Sequence, residues 1–172
     1  MQMIHKCLPQ GAGLAAPLLR RAAVVALDWD LRQRSRFQAS DEQGRDWGVV
    51  LPRGQVVRGG DVLVAEDGTL LLVVAAPQPV MVVTLKEGAP GFDLLRAAYH
   101  LGNRHVPLEL QPDRLLLEPD SVLADMLRQM GLVVTEAMLG FEPEGGAYSG
   151  GGHGHHGHDH DHDHGHHGHS HG

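Results

Sequence analysis

FDLLRAAYHLGNRHVPLEL, residues 92–110, is the stretch that decides the fold of this chain. Its first ten residues repeat apolar side chains at helical spacing, which predicts an amphipathic helix. One face of that helix carries Phe92, Leu95 and Tyr99, and beside it lie Leu94, Ala98 and Leu101. Gly102-Asn103 predicts a left-handed helix stop, and Pro107 forces Val106 into an extended conformation. We therefore expect a helix that turns into a strand, with His105 projecting from the corner.

The sequence on either side of this stretch extends the pattern. PVMVVTLK (79–86) predicts a strand before the helix, and PLELQ (107–111) and RLLLE (114–118) predict a strand pair after it. SVLADMLRQM predicts a second helix, capped by Asp120 or Ser121 and stopped by Gly131. LVVTEAMLGF (132–141) predicts the last strand. The order strand, helix, strand, strand, helix, strand is typical of a ferredoxin-like domain, with two helices on one face of an antiparallel sheet.

The two ends of the chain have different compositions. The first section contains short aliphatic and β-branched runs separated by Gly, Asp and Pro turns, which predicts strands at 22–28, 31–37, 47–51, 61–66 and 69–76. GGAYSGGG (145–152) leads into a tail that has no apolar side chain to bury, so we expect disorder there. The predicted α+β chain comprises a small all-β domain (1–76), a ferredoxin-like domain (77–148) and a histidine-rich tail (149–172).

Charge and composition exclude several classes of protein. The chain has 14 basic and 21 acidic residues, a net charge of −7. Without the three tail acids (Asp159, Asp161 and Asp163), 18 acidic residues still outnumber the basic ones, which argues against a nucleic-acid partner. No apolar run is long enough for a membrane helix. The single cysteine, Cys7, excludes an internal disulfide, and with no signal peptide evident we expect a cytoplasmic protein.

The tail has the chemistry of a metal-binding segment. Eleven of the last twenty residues are histidine, interrupted by Gly and Asp, whereas an appended purification tag is usually an uninterrupted run. Neutral imidazole binds nickel, zinc, copper and cobalt, so this pattern predicts roughly three exchangeable ions without choosing the metal. The candidate ligands are His153, His155, His156, His158, His160, His162, His164, His166, His167, His169 and His171.

Only three histidines lie outside the tail: His5, His100 and His105. His100 falls in the last turn of the first predicted helix and His105 at the corner after it. Two histidines are too few for a closed site of four protein ligands, so a firm site needs a second chain, the tail, or both. A symmetric dimer would present each histidine twice. Alternatively, His100 complements the helix dipole and His105 is an ordinary loop residue.

Two other alternating patterns admit more than one interpretation. Arg32, Arg34 and Arg36 alternate along a predicted strand, either as a partner-docking stripe or as charges that protect an edge strand. Met1, Met3, His5 and Cys7 also alternate, which suits either a soft copper site or a mobile N-terminal strand. No nucleophile elbow, HExxH motif, cysteine pair or GxxxxGK[ST] loop is present, so we expect no enzyme activity.

Several segments together resemble the UreE family of urease accessory proteins, which are nickel metallochaperones. They are DEQGRDWGVVLPRGQVVRGGDVL (41–63), AYHLGNRHVPLEL (98–110), DMLRQMGLVV (125–134), FEPEGGAY (141–148) and the histidine-rich end. The resemblance implies a homodimer joined through the ferredoxin-like domains, in which His105 of each chain meets on the axis and holds one nickel ion. It also implies nickel delivery to the urease apoprotein complex together with an accessory GTPase. His100 stands where some relatives also carry histidine.

One departure and two alternatives complete these expectations. Some family members carry further histidines where LLLEPDSVL (115–123) offers only Glu118, Asp120 and Ser121, so we expect the tail to supply the missing ligands. A general store of zinc, copper or nickel would depend on the tail alone. A histidine-tailed prolyl isomerase would need an aromatic-lined proline pocket, and the chain has only seven aromatic residues, 2 Trp, 2 Tyr and 3 Phe.

Overall fold

The computed structural model describes residues 2–146, which form two β-sheets and four α-helices; the predicted tail lies outside the described residues. Between residues 2 and 146, no helix has both the length and the apolar character needed to cross a bilayer. The elements are β1 (Gln2–Leu8), α1 (Ala16–Leu19), β2 (Ala23–Leu27), α2 (Trp29–Arg32), β3 (Arg36–Ser40), β4 (Asp46–Val50), β5 (Val62–Ala65), β6 (Leu70–Ala75), β7 (Gln78–Thr84), α3 (Phe92–Asn103), β8 (Glu109–Gln111), β9 (Arg114–Leu117), α4 (Ser121–Gln129) and β10 (Val133–Leu139).

The first sheet contains six strands in the order β2-β6-β5-β1-β4-β3. Alternate side chains of its strands point into one core; in β6, for example, Leu71 and Val73 are buried. The sheet curls enough for the loop after β3 to reach the opposite edge strand, where the Glu42 amide donates to the Val24 carbonyl at 2.9 Å. A single aliphatic core fills the curled sheet, including Ile4, Val25, Leu27, Phe37, Trp47, Val49 and Leu63.

The second sheet contains four antiparallel strands in the order β10-β7-β9-β8. Both α3 and α4 contribute buried side chains to one core with this sheet, so they cover the same face. Asp120 begins α4, because its carboxylate accepts the Leu123 amide at 2.9 Å. The α+β fold and the ferredoxin-like order of elements predicted from the sequence are confirmed.

The opposite face of the second sheet packs against the first section of the chain. Trp29 and Phe141 meet there edge to face, with ring centroids 6.2 Å apart, over apolar side chains of β7 and β9. Arg32 is fully buried beside them and donates to the Leu27 carbonyl at 3.1 Å, to the Phe141 carbonyl and to the Glu142 carboxylate. Burial lowers the pKa of Arg32, and the nearby charge of Glu142 opposes that shift.

The strand predicted over residues 31–37 is wrong in its first half. Asp28 accepts the Leu31 amide at 2.9 Å and thereby caps the short helix α2, which contains Arg32. The arginines therefore share no strand face: Arg32 is buried and Arg34 pairs with Asp30 in solvent, while Arg36 alone lies on β3. Neither interpretation of an arginine stripe applies, because a helical turn interrupts the alternation.

The expectation of a mobile N-terminal strand is also wrong. Strand β1 is central in the first sheet, paired with β4 on one side and β5 on the other. A register shift between Ile4 and Lys6 breaks its alternation, and His5 bonds to Glu66 at 3.1 Å. Burial, followed by the charge of Asp61, raises the pKa of Cys7 to about 12, so the thiol stays protonated and is a poor metal ligand. Met1 lies outside the described residues.

Candidate metal-binding site

His105 lies two residues after the end of helix α3, in a left-handed backbone conformation with φ of 56°. The sequence predicts that the helix ends at Leu101, before Gly102-Asn103. The helix instead includes both of these residues and ends at Asn103, two residues later. The His105 amide donates to the Gly102 carbonyl at 2.9 Å, and the Val106 amide donates to the Leu101 carbonyl at 3.2 Å. These two hydrogen bonds define a Schellman motif, with His105 at the position that usually holds glycine.

Helix α4 ends in the same motif, but with glycine at the left-handed position. Gly131 has φ of 88°, its amide donates to the Arg128 carbonyl at 3.0 Å, and the Leu132 amide donates to the Leu127 carbonyl at 3.1 Å. A side chain in this conformation costs about 1 kcal/mol relative to glycine. The chain carries that cost at one of the two Schellman corners, where histidine stands in place of glycine.

The imidazoles of His105 and His100 are both exposed at the C-terminal end of α3. The His100 ring meets Tyr99 edge to face, with centroids 5.5 Å apart. No residue from 2 to 146 hydrogen-bonds to the ring of His105. In the same part of the chain, no three His, Cys, Asp or Glu side chains come together as a possible metal-binding group. The described body therefore offers exposed single ligands rather than a closed site.

The remaining candidate ligands are placed elsewhere or have structural partners. His5 lies on β1 of the first sheet. The carboxylate of Asp120 caps α4, and the exposed Glu118 lies 3.5 Å from the side-chain amide of Gln78. All eleven tail histidines lie outside the described residues. Within residues 2–146, the structure therefore groups no two other predicted ligands with His105.

The predicted apolar face of α3 is not the face that packs on the sheet. Leu94, Ala97 and Leu101 are buried, whereas Phe92, Leu95 and Tyr99 are 59%, 64% and 66% exposed. We call these three exposed side chains the α3 outer face. A contiguous exposed apolar patch is typical of an interaction surface. In the sequence, the apolar residues of this helix form a stripe that is too wide for a single core contact. Their spacing alone could not show which of them pack inward and which stay exposed.

A second feature escaped sequence reasoning because its partners are far apart in the chain. The carboxylate of Glu142 accepts from Arg32, 110 residues earlier, and from the Gly59 amide at 2.7 Å. The Glu142 amide donates to the carboxylate of Glu109 at 2.8 Å. No local spacing connects these residues, so only folded coordinates could reveal the cluster.

Comparisons with known proteins cover almost the whole chain. Residues 4–76 match a family model described as the N-terminal domain of UreE urease accessory protein, and residues 78–171 match the model of its C-terminal domain. A urease accessory protein UreE from Methylibium petroleiphilum is 70% identical over 149 residues, covering 86% of this chain and 69% of that protein. Proteins of the same name from Paracidovorax citrulli and Ralstonia nicotianae are 66% and 54% identical, each covering 88% of this chain, and 73% and 70% of their own lengths respectively.

Proposed function

Because this chain belongs to the UreE family of urease accessory proteins, we propose that it collects Ni(II) with its histidine-rich tail and donates the ion through His105 at a dimer interface. The recipient is the urease metallocentre during its assembly. The family is one of non-enzymatic metallochaperones that act in urease maturation, so the chain is not an enzyme. The alternative of a histidine-tailed prolyl isomerase is therefore wrong.

The conformation of His105 is the observation that carries this proposal. The backbone holds the imidazole at an exposed corner in a conformation that glycine would adopt at lower cost. An exposed ring without a described hydrogen-bond partner can offer a nitrogen to an incoming ion. A carrier needs such a ligand, because a fully closed set of four protein ligands would retain the ion.

The α3 outer face supports a dimer that brings two His105 rings together. Its three side chains lie on α3, which ends two residues before His105, so burying them against a second copy would bring the two His105 corners near one axis. The shared site would then have two imidazoles and open coordination positions. His100, one turn earlier, is the nearest further histidine in the sequence.

The tail supplies the other ligands in this proposal. His153 lies seven positions after Gly146, so an extended chain places this first tail histidine at most about 25 Å from the folded body. Tethering within that distance raises the concentration of captured metal around His105. Imidazole also binds zinc and copper, so we expect both metals to occupy the tail in vitro.

The proposal divides the chain by role. Residues 1–76 dock the accessory GTPase and the urease apoprotein complex, residues 77–148 form the dimer and its metal site, and residues 149–172 gather metal. The two matched family models meet between residues 76 and 78, which supports this division. We place the protein in the cytoplasm, in agreement with its single cysteine.

Counting bound nickel after deletion of residues 150–172 tests the proposal. We expect the shortened protein to keep about one nickel ion per dimer, because two His105 rings share one ion. His105→Ala should abolish this binding, whereas the matched control His5→Ala should not, since His5 lies on β1 and pairs with Glu66. Loss of all tight binding on tail deletion alone would favour a general metal store instead.

A further inference from the structure

The chain crosses the second sheet from one edge to the other just before the tail begins. Strand β10, an edge strand, ends at Leu139 opposite Gln78 of β7. Phe141 then packs on the face away from the helices, against side chains of β7 and β9, and the Glu144 amide donates to the Leu108 carbonyl at 2.8 Å. Leu108 immediately precedes β8, the opposite edge strand. We call residues 140–144 the strap.

Contacts at every step hold the strap in place. Gly140 crosses so close to β6 that an added Cβ would lie 3.0 Å from the Ala75 carbonyl oxygen. The buried Arg32 donates to the Phe141 carbonyl and to the Glu142 carboxylate, and Arg58 donates to the Pro143 carbonyl. The Glu142 amide in turn donates to the carboxylate of Glu109 on β8 at 2.8 Å. The strap is thus bonded directly to the second sheet and, through Arg32, to Leu27 of the first sheet.

The crossing changes where the tail starts. Neighbouring strands lie about 4.8 Å apart, so the three spacings from β10 to β8 displace the chain by roughly 14 Å. Without the strap, the tail would leave beside Leu139. With it, Glu144 lies beside Leu108, which follows His105 by three residues and is therefore within about 10 Å of it.

We propose that the strap is a positioning device for nickel, with Glu142 and Arg32 as positioning residues that set the root of the tail beside His105. This inference rests on the proposed carrier function. His153 lies nine positions after Glu144 and fourteen positions after Leu139. Local concentration falls roughly as the −3/2 power of tether length, so releasing the strap lowers it about two-fold, before any effect of displacement.

A spin label on the tail root tests the position directly. Ala147→Cys adds a thiol that can carry a nitroxide, and Cys7 should stay unlabelled because its own thiol remains protonated. The nitroxide broadens the amide signals of nearby residues in NMR spectra. Leu108 and Glu136 lie at opposite edges of the second sheet. Glu136 is on the edge strand β10 and pairs with Met81 of β7, which in turn pairs with Leu117 of β9. We expect the Leu108 signal to broaden more than that of Glu136. Equal broadening, or stronger broadening of Glu136, would overturn the inference.

Glu142→Ala should reduce this difference, because it removes the carboxylate that Arg32 and the Gly59 amide hold. The matched control is Glu118→Ala, which removes an exposed carboxylate just after β9 and outside the strap. The spin-labelled Glu118→Ala protein should still show stronger broadening of the Leu108 signal than of the Glu136 signal. An unchanged pattern in Glu142→Ala would show that this side chain does not position the tail.

Titration with Ni²⁺ alone tests the role in metal handling. In the full chain, Glu142→Ala should weaken nickel binding at His105 about two-fold, because fewer tail ligands reach the ion. After deletion of residues 150–172, the unsubstituted protein and its Glu142→Ala variant should bind nickel equally. The proposed role of the strap would be overturned if Glu142→Ala left the nickel affinity of the full chain unchanged. It would also be overturned if the substitution weakened nickel binding equally in the shortened chain. If the shortened protein with Glu142 binds no nickel at His105, the carrier function itself fails, while the spin-label result still stands.

Discussion

At His105, backbone conformation and side-chain chemistry have opposite requirements. The left-handed φ of 56° favours glycine, as at Gly131, whereas the proposed metal binding needs the imidazole. The hydrogen bonds of the Schellman motif enforce the conformation, because the Val106 amide can reach the Leu101 carbonyl only when the chain reverses at His105. The imidazole is consequently directed by the backbone rather than by packing.

His105→Gly separates these two requirements. We expect the free energy of unfolding to rise by about 0.5–1 kcal/mol, because glycine relieves the left-handed conformation, while nickel binding to the tail-less protein is lost. Urea denaturation and metal analysis measure the two effects. Gly131→Ala is the matched control, and at the second Schellman corner it should destabilise by about 1 kcal/mol. A less stable His105→Gly variant would contradict the assignment of strain.

Cys7 should be unusually slow to react with thiol reagents. Its pKa is raised to about 12, and its thiol donates to Asp61 at 3.7 Å, so almost no thiolate forms at pH 8. We expect labelling of the folded protein on the order of a hundred-fold slower than labelling of the same cysteine in urea. Equal rates in the two conditions would show that the buried environment does not control this thiol.

Helix α3 is apolar on two sides, and only one side has a partner within the described chain. The inner side chains pack on the second sheet with α4, whereas the α3 outer face stays exposed along nearly two turns. Its last member, Tyr99, lies next to His100 and within two turns of His105. The element next to the candidate ligand His105 thus also carries the exposed apolar surface through which we propose that two copies join.

Leu95→Asp tests the α3 outer face as the dimer contact. Leu95 is 64% exposed, so the substitution should leave the folded monomer intact while placing a charge in the apolar interface. We expect the variant to sediment as a monomer in analytical ultracentrifugation. Leu18→Asp, at a 48% exposed position on α1, is the matched control and should remain dimeric. A dimeric Leu95→Asp protein would place the interface elsewhere.

In the whole molecule, the strap and Arg32 join the two sheets. Arg32 is buried without exposed surface, and the carboxylate of Glu142 is its charged partner. The Glu142 side chain is 34% exposed and also lies 3.5 Å from the Arg58 guanidinium, so it stays paired when Arg32 is removed. The Phe141 carbonyl, in contrast, loses its Arg32 donor. The link between the two sheets therefore depends on this pair as well as on the apolar contacts of Trp29 and Phe141.

Arg32→Met should destabilise the protein by about 1–3 kcal/mol, because it leaves the Phe141 carbonyl without its Arg32 donor and removes one of the two cationic partners of the Glu142 carboxylate. Urea denaturation measures the loss. Arg36→Met, at an exposed position on β3, is the matched control and should change stability by less than about 0.5 kcal/mol. Similar values for the two variants would contradict a structural role for the buried pair.

The sequence by itself determined the order of elements in the second sheet, the Asp120 cap, the Gly131 stop and the candidate ligand at the helix-to-strand corner. Those features depend on residues a few positions apart, whose spacing and backbone preferences act locally. Folding contacts decided which side of α3 is buried, the helical turn at Arg32 and the central place of β1. Folding contacts also decided the path of the strap, because its hydrogen bonds join residues up to 110 positions apart and no local preference encodes them.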